Sequence, residues 1–471
     1  MMNTPAPPPP TEHNFCALVT NVFARWNEAG IRFVVLRNYQ QLPQATGHDV
    51  DVLLAPRQII AAERILIESA RDAGFLLSNR AKFSPVSLFF FNPDTLAQSQ
   101  FDLFHTLNWR GLTLLPAHAV LNWRVDHDLF AIPHPVHEAI NNLMGRQIYH
   151  GYVKENYKEF IHDVFKKYPQ ETETKLRRMA GKKVAGKIAT AISERNWPAV
   201  EAQTGALRRG LAVQRGLFRP RETLRQIFSD ACRLLGRACR PPGATLVLLG
   251  PDGSGKSSVA QRLFAELHGT FYRDKSLHIH WKPAVFLRRR RAERPATTDP
   301  HGQQPRGWLA SQLALFYHWM EFLVGSVFLF MPVLFRCGMV LIERHHYDFE
   351  VDPRRYRLQP PGWLARLAFR CLPRPDLVFV LDAPPELLQA RKPEVTLDES
   401  RRQREAYLTL AARLSNARVI DGTQPLDLVV ASIVRETLFY CEKRQAKRSG
   451  AEVEQSSRRS RDATEPPKPS A

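Results

Sequence analysis

Residues 245–258 read TLVLLGPDGSGKSS. An apolar run closes at Gly250 and passes through a glycine-rich turn into Lys256, Ser257 and Ser258. A short apolar run bounded by glycine is expected to be a buried strand. SVAQRLFAELHG, residues 258–269, is expected to be the helix behind it. Strand, G-x-x-x-x-G-K-S and helix in that order make a phosphate loop, because glycines let backbone N–H groups turn inward and the helix dipole adds positive potential there. The nucleotide-holding set is Gly250, Gly253, Ser254, Gly255, Lys256, Ser257 and Ser258. Lys256 is expected on the β- and γ-phosphates and the Ser257 hydroxyl on magnesium, which makes ATP and Mg2+ the expected cofactors. Asp252 is the odd member, a carboxylate in a loop that holds anions.

Further strands are expected at LHIHW (277–281), MVLIE (339–343), DLVFVLD (376–382) and ARVID (417–421), separated in turn by a basic loop with an apolar helix, a polar loop and a charged helical stretch. Such alternation implies an α/β domain with a parallel sheet flanked by helices. Ligands bind such sheets at the carboxyl ends of the strands. Glu343 and Arg344 stand at one such end and Asp382 at another. Glu343 is expected to orient magnesium or accept a proton, Arg344 to hold a phosphate or acceptor group, and Asp382 to join the metal site. Arg391 and Lys392 begin a basic segment able to close over ATP and neutralise transition-state charge. Arg401, Arg402 and Arg404 extend it or form a solvated helix face.

These pieces resemble the thymidylate kinase-like family of P-loop kinases. The resemblance covers about residues 244–440 and rests on GPDGSGKSS, ERHHYD, LDAPPELLQARK and VIDGTQPLDLV. It is closest to a divergent branch found among bacterial surface-polysaccharide genes, through DPRRY and LPRPDLVFVLDAPPE. It implies an ATP- and Mg2+-dependent phosphotransferase in which Asp252 contacts an acceptor hydroxyl. Arg344 and Lys282 would contact an acceptor phosphate. Glu343 stands where the family has Asp and His345 where it has Tyr. The insertion at residues 288–307 and the apolar helix after it have no close match in ordinary thymidylate kinases.

Upstream, an amphipathic helix ending at Gly30 precedes IRFVVL, GHDVDVLLAP, a helix over 57–74, VSLFFF and QFDLFHTL. Asp49 and Asp51 sit at i and i+2 of a strand and so face the same way. Asp102 lies on another strand, and three convergent carboxylates can hold magnesium for displacement at phosphorus. The pattern resembles the minimal nucleotidyltransferase fold over about residues 12–135, an α+β domain, with LRNYQQLP where that family has a Gly-Ser turn. The expected organisation is a disordered 1–11, a nucleotidyltransferase-like domain at 12–135 and a basic helical connector at 136–240. A P-loop domain at 241–445 and a disordered tail at 446–471 complete it.

The chain has 471 residues and a formal net charge of +20. That favours an anionic partner without choosing one. The expected partners are ATP and an anionic or hydroxylated acceptor. A second copy of the chain and peripheral membrane contact stay open, and no clear nucleic-acid motif is present. Six cysteines form no CxxC pair, and the N-terminal stretch has no secretory pattern, so a cytoplasmic protein is expected. FLVGSVFLFMPVLF, residues 322–335, is expected to be a buried helix feeding a core strand, with a membrane-facing helix as the other reading. The expected function is transfer of the γ-phosphate of ATP to a nucleoside monophosphate-like or glycan-pathway acceptor, with a second nucleotidyltransferase site. The alternative is an ATP-binding scaffold that docks anionic polymers without phosphotransfer.

Overall fold

The computed structural model describes residues 10–44, 49–217, 220–267, 269–283, 285, 304–393 and 395–462. The chain divides into two compact units, Met1–Arg237 and Ala238–Ala471. Most of the segment expected to be disordered at 1–11, and residues 288–303 of the insertion, lie outside the described residues.

The first unit is built on a five-stranded mixed sheet, order β1-β2-β5-β4-β3. Its strands are β1 (Phe33–Val35), β2 (Val50–Leu54), β3 (Leu76–Lys82), β4 (Val86–Phe91) and β5 (Gln98–Phe104). Strand periodicity sorts the side chains between two cores. Val35, Val52, Leu54, Phe101 and Leu103 pack under α1 (Pro10–Glu28) and α2 (Ile59–Asp72). Trp26 of α1 is fully buried there, and its indole N–H donates to the Ala62 carbonyl at 2.9 Å. Val34 and Leu53 face the opposite way and join a second core.

That second core belongs to the basic helical stretch. Two hairpins, β6 (Leu107–Trp109) with β7 (Leu112–Leu115) and β8 (Arg124–His127) with β9 (Phe130–Pro133), flank α3 (Ala117–Asn122). They lead into α4 (Pro135–His150), α5 (Glu155–Lys167), α6 (Pro169–Ala180), α7 (Lys182–Ser193), α8 (Trp197–Ala202) and α9 (Thr204–Leu211). Ile140, Leu143, Met144, Ile188, Ile192 and Leu207 share one core with Val34 and Leu53 of the sheet. The helices expected to be a connector therefore cover the sheet's second face. A long helix, α10 (Pro220–Cys239), follows.

The second unit holds a five-stranded sheet, order β11-β12-β10-β13-β14, with every pair parallel. β10 (Ala244–Leu249) is central and wholly buried. α11 (Lys256–Glu266) follows the phosphate loop and β11 (Leu277–Ile279) forms one edge. α12 (Trp308–Gly325), a π-helical turn at Ser326–Phe330 and α13 (Met331–Phe335) lead to β12 (Met339–Glu343). Beyond these come α14 (Asp348–Val351), α15 (Trp363–Arg370), β13 (Leu377–Asp382), α16 (Pro385–Arg391), α17 (Leu397–Arg413), β14 (Ala417–Asp421) and α18 (Leu426–Asp462). The register aligns Leu248 of β10 with Glu343 of β12, which brings the carboxyl end of β12 beside the phosphate loop.

Two expectations are corrected. The apolar stretch at 322–335 is not simply a buried helix: Val327 and Phe328 are 50% and 69% exposed. The apolar residues cover both faces of the helix, so no amphipathic pattern marks the outward one. The tail expected to be disordered from 446 continues instead as α18 to Asp462, since a charged segment without proline is also compatible with a helix.

Candidate functional site

The loop after β10 follows from its glycines. Gly253 has φ +82°, and a Cβ there would lie 2.7 Å from the Leu388 carbonyl, so the left-handed backbone and the close approach of α16 both demand glycine. Gly255, at φ +89°, turns the chain into α11. Lys256 folds back along the loop, and its ammonium donates to the carbonyls of Gly250 and Pro251, each at 2.8 Å, and to Ser254 Oγ at 3.3 Å. Burial and the Arg344 guanidinium pull this ammonium down to about 8.

Ser257, at the first turn of α11, donates from Oγ to Glu343 Oε2 at 2.6 Å. His278 Nε2 lies 2.7 Å from Glu343 Oε1 and His280 Nδ1 lies 3.4 Å from Oε2. Glu343 is only 1% exposed. Burial alone would raise its carboxyl, but the bonds from His278, His280 and Ser257 hold it well below the usual carboxylate range. A hydroxyl and an ionised carboxylate thus meet at the head of the phosphate loop, the hard oxygen donors that magnesium takes.

Asp252 takes a different set of partners. Arg344 and Arg355 each donate to one of its oxygens. Burial pushes the Asp252 carboxyl up, but Arg344, Lys256 and Arg355 outweigh it and hold the group far below its ordinary value. Asp252 and Arg344, expected to face each other across an acceptor, are in direct contact. Arg344 adopts φ +69°, a left-handed backbone for a non-glycine residue, and its N–H donates to the Leu248 carbonyl at 3.0 Å. Such strain clusters at ligand-holding sites. The polar pocket beside it is lined by Gly250, Asp252, Arg344, Asp348, Tyr356 and Tyr407. Asp348 is buried and accepts from Tyr407 at 3.0 Å and Tyr356 at 3.2 Å.

Other expected members lie elsewhere. Both oxygens of Asp382 are taken by Arg404, at 2.7 and 2.8 Å, rather than joining Glu343 and Ser257. Arg391 donates to the Gly422 carbonyl at 3.0 Å and pins the turn after β14. Arg401 and Arg402 pair with carboxylates on or near α17, as on a solvated face. Lys282 is buried against Glu321 of α12. His278 and His280 are not among the expected site residues, although H-x-H in LHIHW puts both rings on one face of a strand. Arg355 is visible only in the fold.

The first unit brings its three carboxylates together. β2 and β5 pair in parallel with Asp51 opposite Asp102, and ligand oxygens of Asp49, Asp51 and Asp102 all lie within 4.8 Å of one another. They project to the same side of the sheet as Leu53, toward the helical layer. Arg37 Nε donates to Asp51 Oδ2 at 2.5 Å, so the turn that departs from Gly-Ser supplies a guanidinium. Asp51 Oδ1 is buried without a hydrogen-bond partner. Burial raises Asp51 to about 6 against the pull of Arg37. Burial, with Asp51 and Asp49 nearby, raises Asp102 to about 8. An orphaned carboxylate oxygen among like charges fits a divalent cation.

No protein-family model matches the chain. Among solved structures, a thymidylate kinase from Ehrlichia chaffeensis is similar over 41% of this chain and 98% of its own, at 15% identity and a TM-score of 0.30.

Proposed function

We propose that the second unit transfers the γ-phosphoryl group of ATP to an acceptor held beside Arg344. The observation that carries this reading is the 2.6 Å bond from Ser257 to Glu343, which joins the phosphate loop to the carboxyl end of the neighbouring strand. The arginine-lined polar pocket beside that strand end gives an acceptor a place that a loop only binding nucleotide would not need. Ser257 and Glu343 would hold magnesium, which when bound neutralises charge on the β- and γ-phosphates. Lys256 exchanges its bonds to the Gly250 and Pro251 carbonyls for phosphate oxygens. The bond from the γ-phosphorus to the bridging oxygen breaks, ADP leaves, and a bond to the acceptor oxygen forms.

The acceptor side favours an anion. Arg344 and Arg355 converge on Asp252, and a phosphate oxygen can replace that carboxylate on either guanidinium. A phosphate acceptor attacks as its anion and needs no base. The depressed Asp252 carboxylate is a poor one. This supports a nucleoside monophosphate-like or phosphorylated glycan-pathway acceptor over a simple alcohol. The first unit would hold a metal on Asp49, Asp51 and Asp102 and serve as a second, nucleotidyltransferase-like site.

The test is ADP release from the purified full-length chain with ATP, Mg2+ and a panel of nucleoside monophosphates, sugar phosphates and sugars. Acceptor-dependent ADP is expected, and it should vanish in Lys256→Ala. A Lys256→Ala rate equal to wild type would sink the assignment.

A further inference from the structure

We propose that the second unit docks peripherally on an anionic phospholipid bilayer through the outer face of α12–α13 and α15. Trp308–Phe335 is long and apolar enough to cross a membrane by length and composition, yet only a third of its most apolar window is buried. On α12, Trp308, Leu309, Leu313 and Phe316 are 58–66% exposed. Leu309, Leu313 and Phe316 follow helical spacing, so they form one stripe. Val327 and Phe328 prolong the exposed apolar surface beyond α12. On α15, Trp363 and Leu364 are 72% and 64% exposed.

These residues form one surface because the two helices are stapled at their starts. Gln312 Oε1 accepts from the Gly362 N–H at 3.1 Å, and Ser311 Oγ accepts from the Gln359 N–H at 3.0 Å. Exposed apolar surface of this kind on a folded unit marks an interaction site.

The opposite face shows that the helix lies along the bilayer and does not cross it. Leu315 and Phe322 of α12 share a core with Phe349 and Phe369. Glu321 is wholly buried and paired with Lys282. Crossing would strip that core and strand an ion pair in lipid.

Charge selects the occupant. From Trp308 to Phe335 the single carboxylate is the buried Glu321, and α15 has none. Arg306 and Arg336 are exposed at the two ends of the stretch, and Arg366 and Arg370 on α15. A second copy docked through the same patch would set these arginines against themselves with no acidic partner. Lipid phosphates supply that partner, while tryptophans suit the interfacial layer and arginines reach the headgroups.

The experiment is co-sedimentation of the full-length protein with vesicles of phosphatidylcholine alone or of equal parts phosphatidylcholine and phosphatidylglycerol. Binding to the mixed vesicles is expected, weakening with salt, and little to phosphatidylcholine. Arg366→Ala with Arg370→Ala should lower the affinity about 25-fold, roughly fivefold per arginine. Leu313→Asp with Phe316→Asp should abolish it while the circular-dichroism melt stays that of wild type. The wild-type chain gives a second readout. Brominated lipid in the mixed vesicles should quench its tryptophan fluorescence, and Trp308→Phe with Trp363→Phe should remove most of that quenching. No sedimentation with mixed vesicles and no quenching would overturn the proposal. So would a dimer, by sedimentation velocity, that Leu313→Asp with Phe316→Asp dissociates in a chain that ignores vesicles.

Discussion

Ser257 and Glu343 are 86 residues apart and meet through a 2.6 Å hydrogen bond. The contact depends on two local facts: Gly255 turns the chain so that α11 starts at Lys256, and the parallel register sets Glu343 beside Leu248. Glu343→Gln keeps the size of the side chain and removes its charge. We expect it to bind ATP normally in EDTA, to lose the magnesium dependence of binding, and to fall about 100-fold or more in kcat. His278→Asn, which removes a bond that orients the carboxylate, should weaken magnesium affinity about 10- to 100-fold. Calorimetric ATP titrations with and without magnesium, beside ADP-release kinetics, check both. A Glu343→Gln variant with wild-type turnover would remove the metal role.

Asp252 is held by Arg344 and Arg355, with side-chain exposures of 6%, 15% and 21%. Removing one partner of such a buried group leaves a charge uncompensated. Asp252→Asn should therefore cost about 3 kcal/mol of stability. Adding Arg355→Gln should return part of that loss, since the double variant leaves one guanidinium fewer without its carboxylate. Urea unfolding of the singles and the double gives the coupling. On the kinetic side, Asp252→Asn should raise the acceptor KM or lower kcat while ATP binding persists. Additive stability losses would mean that the three groups do not act together.

Much of the second unit was legible because its strands are short apolar runs that stop at a charged residue. MVLIE and ARVID coincide end to end with β12 and β14. The phosphate loop was legible because its chemistry is local. Pairings that cross the sheet were not. Arg404 captures Asp382, and Arg355 reaches Asp252 from 103 positions away, through the third dimension alone. The outward face of α12 was hidden for another reason: Leu309 and Leu315 are equally apolar, yet only the second is buried. In the first unit D-x-D announces its carboxylates, but in sequence Arg37 marks only a departure from a motif, and nothing local pairs it with Asp51.

The cluster of Asp49, Asp51 and Asp102 stores repulsion that a cation would relieve. In metal-free protein, Asp102→Asn should stabilise the chain by about 1–3 kcal/mol, because it removes a buried carboxyl that burial and two like charges disfavour. Magnesium should stabilise the wild-type cluster by about 2.7 kcal/mol at a hundredfold excess over its Kd. That increment should disappear with Asp102→Asn. Melting curves in EDTA and in magnesium resolve this best in a Glu343→Gln background, where the metal site proposed at Ser257 and Glu343 is disabled. Equal magnesium shifts with and without Asp102 would show that the cluster binds none.

His137 and Glu138 are neighbours on α4, and both are buried. Their acid responses oppose each other. Burial, with Lys175 and His134 nearby, lowers His137 from 6.5 to about 3. The unfolded chain takes that proton first, so this contribution to stability is lost as pH falls from 6.5 toward 3. Burial raises Glu138 from 4.5 to about 7, against the hydrogen bond from the Tyr39 hydroxyl. Here the folded chain holds the extra proton, so stability is fully present below 4.5 and is lost as pH rises through about 7. Between 4.5 and 6.5 the two slopes have opposite signs and offset. Glu138→Gln keeps an acceptor for Tyr39 and removes one slope. Relative to wild type, the variant should lose about 1–3 kcal/mol of stability on acidification across that window. Urea unfolding of both full-length proteins at intervals of pH measures the difference, and parallel curves would mean that Glu138 carries no folded-state proton.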